Sequence, residues 1–346
     1  MARVLFAFLL FSGTLLAQQG NSVYTFLDLP SSALSSALAG SQVASGQKDL
    51  SMIADNPAIG DSSMHHNMNL GYLNYVTNIN QATAFYSRTI DSVGLASAYI
   101  RYFDYGSFDE TDQFGNQIGN FKVTDYELGV SLSRPFTPTS RFRYGATLKQ
   151  IYSSYYNFWS YGVGADLGIH YTSKDGEFIV GLVADNMGFS VVDYTNSGAQ
   201  AMPFNMRVGF SKKFSKAPIR FGMQYNDLQR WDLAGADADA QLLVTNDPLT
   251  GDSSRRVFTA DNFLRHMTAS VEILPAEGFN LIVGYNFRRR LELALNDRAG
   301  LSGFSFGVLM KVRRIQIHYA LASYTLGATS HLFAVSTNLN EWYRRK

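Results

Sequence analysis

"RFRYGATLKQIY", Arg141 to Tyr152, alternates from Phe142 to Lys149. Phe142, Tyr144, Ala146 and Leu148 fall on one face and Arg143, Gly145, Thr147 and Lys149 on the other, the period of two that a β-strand imposes. The pattern recurs with the same chemistry. "SYGVGADLGIHY", from Ser160, sets Tyr161, Val163, Ala165, Leu167, Ile169 and Tyr171 against Gly162, Gly164, Asp166, Gly168 and His170. "PIRFGMQYN" from Pro218, "FNLIVGYNFRR" from Phe279 and "GFSFGVLMKVR" from Gly303 repeat it.

A soluble sandwich also alternates, with one face on a packed apolar core and the other in water. Here the polar face is rich in glycine, and aromatic residues cluster toward strand ends on the opposite face. That combination fits a barrel whose lumen faces in and whose apolar wall meets lipid. The runs last about 9 to 14 residues, and a tilted membrane strand needs about 9–11. Composition agrees: 20 Tyr, 25 Phe and 29 Gly stand against only 16% charged residues, a balance that suits extended strands. No cysteine is present, so no disulfide framework exists, and a net charge of +1 argues against nucleic acid as a partner.

Candidate strands begin at Met68, Asn80, Val93, Tyr126, Phe142, Tyr161, Phe178, Phe204, Ile219, Met267, Phe279, Phe304, Ile315 and Leu332. The expected fold is therefore all-β, a transmembrane antiparallel β-barrel of about 14 strands, an even number as single-chain bacterial barrels have. "TPTS" (137–140), "SKDG" (173–176) and "SKAP" (215–218) are tight turns expected on the periplasmic side. Phe108 to Phe121 and Trp231 to Asn262 are expected as long outward connections.

The chain opens with one positive charge, an apolar run and small Ala17, the features of a secretory signal peptide cleaved near that residue. The expected division is a signal peptide over 1–17, an N-terminal hatch over 18–66 and a barrel over 67–346. The 18–66 segment has prolines, many small residues and no long alternation. It is too long for a leader, and tucked inside it would fill the lumen. "SSALSSALAG", Ser31 to Gly40, can form a short helix, and "DNPAIG" is a turn because Asn56 precedes Pro57.

The order "LPSSALSSALAG…VA…NPA", Leu29 to Ala58, resembles the N-terminal hatch of the long-chain fatty-acid transporter superfamily of outer-membrane barrels, FadL-like proteins. Phe26, Leu27, Leu29, Pro30, Asn56, Pro57 and Ala58 are the hatch positions concerned. Within it "NSVYTFLDLPSSA" resembles the start of the PorQ family of the type IX secretion system. Leu34 stands where that family has arginine and Ala39 where it has glycine, so no role of that arginine carries over. The resemblance implies a non-enzymatic protein of a diderm outer membrane, in contact with its lipid. It implies a surface partner similar to PorZ, alongside PorU and PorV, in an attachment complex for secreted cargo, and no cofactor.

Charged residues on the polar faces, Glu127, Arg143, Lys149, Asp166, Arg207, Arg220, Glu272, Arg288 and Lys311, are expected to face the lumen and cross-link it by ion pairs. In "RRR", alternation places Arg288 and Arg290 inward and Arg289 beyond the membrane. The long outer loop carries Leu242, Leu243 and Val244 with Arg255 and Arg256, a candidate docking surface for a partner or a lid. The competing expectation is a FadL-like transporter of hydrophobic small molecules, which calls for an apolar path. Six scattered histidines without metal-ligand spacing give no metal site, and "GVGADLG" lies within an alternating strand, away from phosphate-loop geometry.

Overall fold

The computed structural model describes residues 22–195, 198–233, 244–246, 253–255, 260–293, 301–325 and 328–343. The proposed signal peptide, Leu242, Leu243 and Arg256 lie outside them. The strands in chain order are β1 (Asn67–Val76), β2 (Ile79–Ile90), β3 (Gly94–Thr111), β4 (Gln117–Pro135), β5 (Phe142–Tyr155), β6 (Phe158–Thr172), β7 (Phe178–Val192) and β8 (Asn205–Lys213). They continue as β9 (Ile219–Tyr225), β10 (Val244–Asn246), β11 (Ser253–Arg255), β12 (Met267–Ala276), β13 (Phe279–Asn286), β14 (Phe304–Val312), β15 (Ile315–Thr325) and β16 (Ala328–Asn338).

Fourteen of these strands form one closed antiparallel barrel. Each pairs with its chain neighbour, β9 pairs with β12 across the long excursion, and β1 meets β16 in register from Asn67↔Asn338 to Asn74↔His331. Closure matters because an open sheet edge in lipid would leave backbone groups unpaired. β10 and β11 form a separate hairpin in which Val244 pairs with Arg255.

The period of two sets which side chains face in. Along β5, Phe142, Tyr144, Ala146 and Leu148 are exposed while Gly145, Thr147, Lys149 and Ile151 are buried. The outer wall carries Leu70, Leu128, Val130, Leu148, Phe333 and Val335, with Leu148 71% exposed. An apolar band this continuous is far larger than water-facing proteins tolerate, and lipid is the solvent that suits it.

The chain leaves β7 at Val192, β9 at Tyr225 and β13 at Asn286 at one end of the barrel and re-enters there at Asn205, Met267 and Phe304, its connections of more than six residues. The turns 136–141, 173–177 and 214–218 lie at the other end, together with His66 and Leu339, which flank the first and last strands and share a hydrogen bond of 2.9 Å.

The expected long connection from Phe108 to Phe121 is instead strand. β3 and β4 run on as a hairpin in which Phe108 pairs with Phe121, their rings stacked at 5.5 Å, and only 112–116 turns. A bulge between Asp104 and Ser107, with Gly106 in the left-handed region, shifts the alternation there and hid the continuation from the pattern. β4 accordingly starts at Gln117, nine residues before the expected Tyr126.

Candidate functional site: the lumen and its N-terminal segment

Residues 22–66 lie against the inner faces of strands all around the barrel. Ser32 accepts a hydrogen bond from the Ser35 amide at 3.0 Å and caps the short helix Ala33–Ala37, which packs on the inner side of β13 to β16 and β1. Asn56 caps the 3₁₀ turn Pro57–Ile59 by accepting from the Ala58 amide at 2.9 Å, and the fixed φ of Pro57 suits the first position of such a turn. The same Asn56 donates to the Val43 carbonyl at 2.8 Å and to the Ile169 carbonyl of β6 at 3.2 Å.

An irregular segment carries backbone groups that no helix or sheet satisfies, so the wall must supply partners. Arg101 on β3 donates to the carbonyls of Phe26 and Leu29, both at 3.1 Å. Gln81 reaches the Pro30 carbonyl at 3.4 Å, Gln224 accepts from the Val43 amide at 2.8 Å, and Ser211 donates to the Ala44 carbonyl at 2.7 Å. Apolar contacts complete the fit. Leu34, Leu38, Met52 and Ile53 join Leu73, Phe85, Ile282 and Leu332 in one buried cluster, while Phe26 and Leu27 pack near Phe103 and Ile151 in a second.

Glycines of the polar face make room for this segment. A side chain on Gly145 would collide with Pro57 and Ala58, and one on Gly181 with Val43. Asp55, fully enclosed within the segment, accepts from the Ser35 hydroxyl at 2.7 Å and the Gln42 amide at 3.1 Å, yet burial still raises its carboxyl above the usual range.

Buried charges line the wall as a ladder. Glu127, 1% exposed, is 3.0 Å from Arg101 and 3.9 Å from Lys149, and it accepts from the Tyr99 hydroxyl at 2.8 Å. Lys149 in turn is 2.8 Å from Asp166. Arg207 pairs with Asp185, and Arg220 with Glu272 at 3.4 Å, while Gln47 of the N-terminal segment donates to Glu272. Arg143 reaches inward to the Gly60 carbonyl.

Two expected lumen charges sit at the two ends of the lumen rather than within the ladder. Arg288 belongs to the helix Phe287–Glu292 beyond the end of β13, where it pairs with Glu292 at 2.6 Å and Asp227 at 3.5 Å. Lys311 keeps inner parity but is exposed at the short-turn mouth. The alternation in "RRR" also fails, because Asn286 ends β13 and caps the helix by accepting from the Arg289 amide at 2.9 Å. Arg289, expected beyond the membrane, turns inward: it donates to the Ala39 carbonyl at 3.1 Å and stacks over Tyr324 at 4.3 Å.

Sequence reasoning missed Arg101 and Asp185, the partners that complete the ladder. Arg101 shares the inner face of β3 with Leu95, Tyr99 and Phe103, so that face shows little polar contrast. Asp185 adjoins a bulge opposite Ala165 and Leu167 that disturbs the period of two.

Between the segment and the long loops lies a cavity of about 340 Å³ bordered by Asp28, Asp185, Asp227, Arg207, Arg288 and Arg289 among others. Asp28 is exposed to this cavity, within the ring of protein that the wall and the long-loop end form around it. That enclosure, reinforced by Asp185 and Asp227 and opposed by Arg207 and Arg288, raises its pKa from 3.8 to about 7.

No family model and no curated protein matches the chain. Solved structures do. The toluene transporter TodX of P. putida superposes with a TM-score of 0.56 at 14% identity, covering 90% of this chain and 99% of that one. The Ralstonia pickettii toluene transporter TbuX gives 0.53 at 10% identity, with the same 90% and 99% coverage. At such identities the likeness is one of architecture: this chain has the barrel fold seen in those two transporters.

Proposed function

We propose that the chain is a FadL-like outer-membrane barrel that passes small hydrophobic molecules, with residues 22–66 as its hatch. The observation that carries this reading is the fold shared with two toluene transporters over 90% of the chain. The charged ladder shapes the route. An apolar solute gains nothing from a lumen lined by buried ion pairs, so it leaves either past a displaced hatch or sideways through the wall, as the resemblance implies for fatty-acid transporters. The test is uptake of toluene and of a medium-chain fatty acid into cells whose only such barrel is this chain. Uptake no faster than in barrel-free cells rejects the reading.

A second reading is favoured by the PorQ-like N-terminus and by a wall tied to its hatch through Arg101, Gln224 and Ser211. In it the barrel is a sealed anchor of the type IX attachment complex, holding a PorZ-like surface protein with PorU and PorV nearby. Purification in mild detergent separates the two. A large soluble partner retained in stoichiometric amount supports the anchor, and a bound apolar molecule supports transport.

A further inference from the structure

We propose that the short-turn mouth of the lumen holds a site for a phosphate-type oxyanion, gripped between the N-terminal segment and the wall. A cavity of about 470 Å³ opens there, bordered by Lys48 and Asp61 of the segment, by Arg141 and Lys174 of the turns, and by Arg143 and His170 of β5 and β6. Five of these six side chains are basic or imidazole. The single carboxylate, Asp61, already accepts from the Ser63 amide at 2.7 Å and stands 3.8 Å from Lys48, whose side chain is 70% exposed.

One donor on the wall has nothing to donate to. Arg143 uses one amino group for the Gly60 carbonyl and the Ser133 hydroxyl, the latter at 3.3 Å, and leaves its Nε without a partner. His170 beside it is 6% exposed and shares a hydrogen bond with the Ser45 backbone. Its Nδ1 lies 3.5 Å from the Thr172 hydroxyl. Buried donors are almost always paired, so the unpaired Arg143 Nε beside the surplus positive charge of Lys48, Arg141 and Lys174 calls for an acceptor that is itself negative. A group with several oxygens and a double charge meets Arg143 and the flanking lysines and arginine together. The space exceeds a bare anion, so the group arrives on a carrier: a soluble phosphorylated molecule or a phospholipid headgroup of the adjoining leaflet. Because Lys48 and Arg143 lie on opposite sides, an occupied site also latches the segment to the wall. This inference stands apart from the transport reading and does not depend on it.

The test uses the mature chain in detergent and in nanodiscs. Inorganic phosphate is titrated by calorimetry at constant ionic strength with chloride as the compensating salt, and thermal unfolding is compared in phosphatidylglycerol and phosphatidylcholine discs. The Arg141→Gln/Lys174→Gln double variant leaves the Arg143 hydrogen bonds in place, and heat-modifiable gel migration checks its fold. Saturable phosphate binding that weakens at least tenfold in the folded double variant supports the site with a soluble occupant. A stabilisation confined to phosphatidylglycerol discs and lost in the same variant supports it with a headgroup occupant. The proposal fails if neither appears, if binding survives the double substitution, or if chloride at equal ionic strength does as well.

Discussion

Gly284 on β13 lies so close to the N-terminal segment that a β-carbon on it would stand 2.5 Å from both the Ala37 carbonyl oxygen and the Ala39 amide nitrogen. The glycine is therefore a fitting surface for the segment as much as a lumen residue. Gly284→Val should push the segment off the wall and cost about 1–3 kcal/mol, the usual range for overpacking. The wall itself should persist, since its strands pair through backbone. Raised protease sensitivity of residues 22–66 with unchanged heat-modifiable migration is the expected result.

Its neighbour Val283 points the other way. Arginine there stands in the apolar band and should cost about 2–4 kcal/mol if the position lies near the bilayer midplane. Urea unfolding from lipid vesicles measures this, and an unaltered midpoint would contradict the lipid-facing assignment.

Glu127 holds three partners, Tyr99, Arg101 and Lys149. Lys149 keeps Asp166 when Glu127 becomes glutamine, but Arg101 is left as a buried charge without a counter-ion. Breaking a buried pair from one side typically costs about 3–5 kcal/mol. The loss should be read in the same unfolding assay, and it should shrink when Arg101→Met is added.

The cavity near the long loops predicts a pH dependence. Asp28 has its ordinary value of 3.8 when unfolded and about 7 when folded, so the unfolded state gives up the proton first. The packing of the segment is then strongest at or below the lower value and weakens as pH rises from 3.8 to about 7. Protection factors for hydrogen exchange of residues 24–40, taken against the base-catalysed intrinsic rate at each pH, should be larger at pH 5 than at pH 8. Asp28→Asn should erase most of that difference.

Removing residues 22–60 takes away the lumen filling while leaving every strand pair of the wall. The truncated barrel should insert and conduct ions in planar bilayers well above the full chain. Equal conductance would place the segment outside the conducting path.

The barrel was legible because membrane strands write their two faces into alternate residues, and Glu127, Lys149, Asp166, Arg207, Arg220 and Glu272 fell on the buried side by that rule alone. The rule loses its grip wherever the backbone departs from a plain strand. Bulges hid the hairpin of β3 and β4 and masked Asp185, and the helix after Asn286 turned Arg289 inward beside Arg288. Arg101 escaped for a different reason: the inner face around it packs on Phe26, so its neighbours are apolar where a lumen is expected to be polar. The register between the segment and the wall has no local signature at all, because its contacts, such as Val43 with Gln224, join residues 181 apart.

The seam between β1 and β16 joins the two ends of the barrel sequence, Asn67 to Asn338, so it can zip only after the last strand has been made. In the finished protein the segment just ahead of β1 lies inside that closed wall, hydrogen-bonded to β3, β8 and β9. Withdrawing it therefore means breaking those bonds one after another from within a ring that has no free edge, so wall and segment resist pulling as one mechanical unit.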